Sequence, residues 1–140
     1  MSHSYVDFKD RNVLIWDPNI VLLGNMLLDA RKRIQEGHEV PVLIDDLLTY
    51  WQSISDSCGP GCIDLKLDEY LSDERSVRCF LQLLDMVEKK IGTFGDMIPG
   101  EYLTSLVGSP ATVFVDMPAK DVHAILNSVR SLFGGGTGRN

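Results

Sequence analysis

The stretch from Ser72 to Gly92, SDERSVRCFLQLLDMVEKKIG, limits what this chain can fold into more than any other. Val77, Phe80, Leu81, Leu84, Val87 and Ile91 recur at the spacing of one helical face. Cys79, Leu83 and Met86 widen that face until little of the middle is polar. A helix so apolar must be covered on more than one side. Its ends are marked by Ser72 as N-cap, Asp73 and Glu74 in the first turn, Lys89 and Lys90 in the last, and Gly92 as a stop. The spacing therefore predicts a helix around which the remaining elements pack.

Those elements follow from the same kind of signal. Tyr5–Phe8 and Val13–Trp16 are short apolar runs around Lys9-Asp10-Arg11-Asn12, and read either as a hairpin or as one extended arm with a kink. Asp17-Pro18, an acidic N-cap followed by proline at the first helical position, opens a helix with Ile20, Leu23, Leu27, Ala30 and Ile34 on one face. Arg31, Lys32 and Arg33 in its closing turns complement the helix dipole. Pro41 opens a second helix, with Ile44, Leu47, Leu48, Trp51 and Ile54 inward. Ile63–Leu67 alternates, as a short strand or an extended linker, and Asp68–Leu71 has room for one helical turn. Beyond Gly92, Pro99 opens a short helix, Pro110–Val115 is rich in strand formers, and Pro118 opens a last helix with Val122, Ile125, Leu126, Val129, Leu132 and Phe133 inward. The expected fold is mainly α: a single compact domain over residues 1–133, of about five helices with a few short peripheral strands. A flexible glycine-rich tail is expected over 134–140.

With 140 residues and 44% of them hydrophobic, such a domain can bury a core without metal or disulfide staples. The formal net charge of −7 opposes a surface built to grip nucleic acid or anionic lipid, because that needs a Lys/Arg excess. It suits a basic protein partner, steered by complementary charge. No apolar run approaches the roughly 18–20 residues that span a bilayer, and the N-terminus lacks a signal pattern. Three cysteines, an odd number, then point to reduced thiols in a cytoplasm.

No constellation of catalytic residues stands out. Cys58 and Cys62 flank Gly-Pro-Gly, whereas thioredoxin-like sites place two residues between the cysteines at a helix N-terminus. A plain turn is the reading here, with a reversible disulfide as the chemical alternative. A four-ligand zinc site would have to draw on Cys79 and the scattered His3, His38 and His123. The glycines precede no Lys-Ser/Thr phosphate cradle. No catalytic set, cofactor or metal is therefore expected. The densest feature is acidic: Asp64, Asp68, Glu69, Asp73 and Glu74, with Lys66 the only cation among them and Tyr70 in their midst. An acidic patch with an aromatic anchor is the surface with which a protein meets a basic partner. Asp96 and Glu101 make a second possible patch.

The segment Gly95-Asp96-Met97-Ile98-Pro99-Gly100-Glu101-Tyr102-Leu103 fits Gly-Asp, two residues, Pro-Gly, acid, one residue, Leu. It resembles a stretch of the immunity proteins of bacterial contact-dependent growth inhibition systems, where a similar stretch follows a long apolar helix and opens another. The resemblance implies a cytoplasmic, non-enzymatic protein that binds and blocks a toxin domain, commonly a nuclease. The basic, phosphate-gripping surface of a nuclease is one that a small acidic binder can occupy. Two other classes stay open. One is a small cytoplasmic adaptor or regulator acting through an apolar groove or self-association. The other is an enzyme whose site is assembled in the fold, around Cys58, Cys62 and His123.

Overall fold

A computed structural model of the chain describes residues 2–34, 39–57, 61, 63–107 and 114–134. Of the two readings of the N-terminal arm, the hairpin is the one adopted. Strand β1 (His3–Phe8) pairs antiparallel with β2 (Arg11–Trp16), with His3 opposite Trp16 and Phe8 opposite Arg11. The alternation of the sequence decides its two faces. Ser4, Val6, Phe8 and Ile15 are buried, while Tyr5, Asp7 and Leu14 face outward.

Among the described residues six helices follow: α1 (Asp17–Lys32), α2 (Val42–Ser57), α3 (Leu67–Tyr70), α4 (Glu74–Gly92), α5 (Gly100–Val107) and α6 (Ala119–Arg130). A 3-10 turn over Ser131–Phe133 extends α6. Two-residue strands, β3 (Met97–Ile98) and β4 (Met117–Pro118), pair antiparallel and tie the start of α5 to the start of α6. The fold is mainly α with short peripheral strands, as expected. The single turn foreseen at Asp68–Leu71 is α3, and it makes the sixth helix.

Helix α4 buries Phe80, Leu83, Leu84, Val87 and Ile91 and packs on α1, α2 and α6. It shares the centre with α1, which buries Ile20, Leu22, Leu23, Met26, Leu27 and Ala30 and packs on α2, α4 and α5. Trp51 of α2 joins the two. Its indole N–H donates to the Ile20 carbonyl of α1 at 2.9 Å, and its ring stacks on Phe80 of α4 at 6.5 Å between centroids. That close approach needs Gly24: a Cβ there would lie 2.5 Å from Cδ1 and Nε1 of Trp51. At the surface, Arg31 forks onto Asp45 at 2.7 and 3.2 Å, so one member of the basic triplet clamps α1 to α2. Arg130 of α6 meets Asp85 at 2.7 Å and Glu88 at 3.1 Å on α4.

Several expected boundaries move. Trp16, with no side-chain cap bond, is the N-cap of α1, and Asp17 is its first helical residue. Asp73 rather than Ser72 caps α4, because its carboxylate reaches the Ser76 N–H at 2.7 Å. Helix α4 runs through Gly92, and the left-handed glycine after it is Gly95, at φ 81°. Residues 110–113 of the expected strand Pro110–Val115 lie outside the described residues, and Phe114 and Val115 are not in a strand. Pairing begins instead at Met117.

Replacing Gly24 by Ala favours helix propensity by about 1 kcal/mol, but it forces the fully buried Trp51 ring to move, at a cost of about 1–3 kcal/mol. Gly24→Ala is therefore expected to lower the urea midpoint of unfolding. An unchanged or raised midpoint would show that the ring has room to shift.

Candidate functional site

The site starts from a buried carboxylate. Asp17 accepts hydrogen bonds from the Ser4 hydroxyl at 2.6 Å and from the Gly61 N–H at 2.8 Å. Ser4 Oγ in turn accepts from the Ile63 N–H at 3.1 Å. Burial pushes the Asp17 carboxyl upward, but the bonds from Ser4 and Gly61 outweigh it and hold the group below its ordinary range. One side chain thus joins β1, the first turn of α1 and the segment after α2.

From that anchor the chain runs extended beside the hairpin. Ile63, Leu65 and Leu67 are buried, while Asp64, Lys66 and Asp68 point outward. No ladder forms here, so of the two readings of Ile63–Leu67 the extended linker holds. Lys66 adopts a left-handed conformation, φ 52°, and turns the chain into α3. The Asp64 carboxylate accepts from the Lys66 N–H at 3.1 Å, and its carbonyl accepts from the Tyr50 hydroxyl at 2.7 Å. Asp68 Oδ1 accepts from the Lys9 N–H at 2.7 Å. Lys9 is the left-handed residue of the hairpin turn, φ 57°, so this bond fixes the hairpin tip against the start of α3.

The hairpin tip and the first turns of α4 enclose a groove of about 480 Å³. Phe8, Leu71, Val77, Leu81, Leu132 and Phe133 form its apolar floor, and the Phe8 and Phe133 rings sit 4.5 Å apart. Asp10, Asp73 and Glu74 stand on its lip beside Lys9 and Arg11. Arg11 is already engaged, donating to the Ser131 carbonyl at 3.1 Å.

The sequence-identified acids therefore divide. Asp68, Asp73 and Glu74 gather around the hairpin tip, and Asp64 and Glu69 are exposed on the approach to it. Asp96 and Glu101 are not brought to them. They lie past the other end of α4, whose 19 residues span about 28 Å. There the Asp96 carbonyl accepts from the Ala119 N–H at 2.8 Å, and Glu101 is exposed on α5. Tyr70 is no free aromatic anchor: it is half-buried, 5.5 Å from the Tyr50 ring. The hairpin-tip residues Lys9 and Asp10 were not among the candidates. Their polar turn was legible, but its neighbour 59 residues along the chain was not.

The other candidate chemistries find no assembly among the described residues. Cys58, Cys62 and His38 lie outside them. His123 Nδ1 stands 3.3 Å from Glu88, whose carboxyl the Arg130 hydrogen bonds hold below its ordinary range. That cluster clamps α4 to α6. Burial pushes the Cys79 thiol upward, which disfavours the thiolate. Among the described residues no group of three or more His, Cys, Asp or Glu side chains is placed to hold a metal, and no helix is long and apolar enough to cross a membrane. Comparison with protein families, with curated proteins and with solved structures finds no match to this chain.

Asp73 has a structural task beside its charge. The Ser76 N–H holds its carboxyl below the ordinary range. A depressed carboxyl stabilises the fold above its unfolded pKa of about 3.9, and that contribution disappears as the pH falls through the depressed value. Asp73→Ala should therefore unfold at lower urea than wild type at pH 7, and the gap should close on acidification. A gap constant down to pH 2 would mean that the cap bond does not stabilise the helix.

Proposed function

We propose that this chain is an immunity-type inhibitor: a non-catalytic, cytoplasmic protein that binds a basic toxin domain one to one, of the nuclease class. The binding surface runs along Asp64–Glu74 to the hairpin tip. The observation that carries the reading is the groove beside the Asp68–Lys9 bond, with Asp10, Asp73 and Glu74 next to Lys9 and Arg11 on its lip and aromatic and aliphatic side chains on its floor. A polar, charged rim around an apolar centre is the anatomy of a protein interface. The net charge of −7 supports steering toward a basic surface. The Gly95–Leu103 segment agrees with the resemblance, since it follows the long helix α4 and leads into α5.

Charge and scaffold can be separated in a test. Asp68 holds the hairpin tip and Asp73 caps α4, so the informative reversals are Glu69→Lys and Glu74→Lys, both at exposed positions. Capture from an extract of the source cells should yield a basic protein in one-to-one complex with the chain. In stopped-flow mixing with that protein, the double reversal should slow association about tenfold at low salt and flatten its salt dependence. An unchanged rate, or capture of no basic protein, would refute the reading.

A further inference from the structure

We infer that the outward face of the N-terminal hairpin is a second docking surface, the apolar anchor for a partner with a basic rim. The inference rests on the reading of this chain as a binder of a basic protein. It adds an exposed aromatic side chain, which the acidic strip lacks because Tyr70 is packed against Tyr50. Tyr5 and Leu14 are cross-strand partners on the side of the hairpin turned away from the core, 60% and 54% exposed. Two strands with this alternation would ordinarily put polar residues on the solvent side. Here that side carries an aromatic and a large aliphatic residue directly opposite each other.

The face continues into a groove of about 490 Å³ between the hairpin and α6. Leu14 and Trp16 form its hairpin wall, and Met117 and Ile125 lie across from them. The groove is lined by Asp121 and by no lysine or arginine. The outward residues of the hairpin add Asp7 and again no lysine or arginine. Among the described residues the fixed charges of the joined surface, Asp7 and Asp121, are negative, and His3 is its titratable neighbour. A second copy of the chain would bring these acids against their own kind, between two molecules each at −7. The complementary occupant is an apolar side chain projecting from a basic protein surface, with lysine or arginine beside it to face Asp7 and Asp121. An exposed aromatic–aliphatic pair beside a groove is the kind of site where a few residues carry most of the binding energy.

Trp16 makes the surface observable, because it lines this groove whereas Trp51 is fully buried and gives a constant background. The probes are two synthetic peptides of equal positive charge, one of lysine and leucine and one of lysine and serine. The lysine–leucine peptide should shift the Trp16 emission to the blue and shield it from acrylamide, and the lysine–serine peptide should not. Leu14→Asp and Tyr5→Ser, both at exposed positions, should each weaken that binding about tenfold or more. Glu69→Lys with Glu74→Lys should slow association yet leave the emission shift at saturation. Equal binding of both peptides, or full affinity in Leu14→Asp, overturns the inference and leaves the acidic strip untouched. A blue shift that appears without peptide as protein concentration rises, together with a doubled mass in sedimentation, overturns it in favour of self-association.

Discussion

The Asp17 carboxylate holds the hairpin and the linker beside it in register. Taking a carboxylate out of water is unfavourable unless hydrogen bonds replace the lost solvent. Ser4 and Gly61 provide them, and the position in the first turn of α1 adds the favourable end of the helix dipole. The bonds reach a strand, a helix start and a linker, and add to the bond from the Asp17 N–H to the Ser2 carbonyl at 3.0 Å. Because Ser4 also receives the Ile63 N–H, the linker is laid along β1, and α3 then arrives where Asp68 meets the hairpin turn. The acidic strip and the hairpin thus form one surface.

The core beneath that surface is built differently. Helices α1 and α4 meet through aliphatic packing, and Trp51 closes the third side by lying on Gly24. Ion pairs sit at the margins, Arg31 with Asp45 and Arg130 with Asp85 and Glu88, where solvent weakens them and geometry matters more than energy. Many of the acids that give the chain its negative charge also serve the fold. Asp73 caps a helix, Asp68 fixes a turn, Asp64 closes a short loop and Asp116 receives the Gly100 N–H at the start of α5. Glu69, Glu74, Asp10 and Asp7 remain exposed, the acids to which the proposed function assigns steering.

Helices were legible because their period is local: Val77 to Ile91 marks α4, and Val122 to Phe133 marks α6 with its closing turn, without reference to any other element. The last turn's Phe133 could be assigned inward in this way, although its contact with Phe8 could not. What escaped the sequence is set by distance along the chain. Asp17 has the composition and position of an N-cap, yet its carboxylate is drawn off by Gly61, 44 residues away. Tyr70 has the look of an exposed anchor until Tyr50 packs against it. The outward Tyr5–Leu14 pair could not be recognised as an apolar patch, because an apolar residue in a strand is ordinarily evidence for burial.

The most direct test of this account is amide hydrogen exchange in Asp17→Ala. Loss of the carboxylate should speed exchange at Gly61 and Ile63 and, through the loosened linker, at Lys9 and along the β1–β2 ladder. The interior amides of α4 around Leu84 should keep their protection. If Gly61 alone exchanges faster while Lys9 and the hairpin stay protected, Asp17 does not hold the linker and the hairpin in register and the account is contradicted.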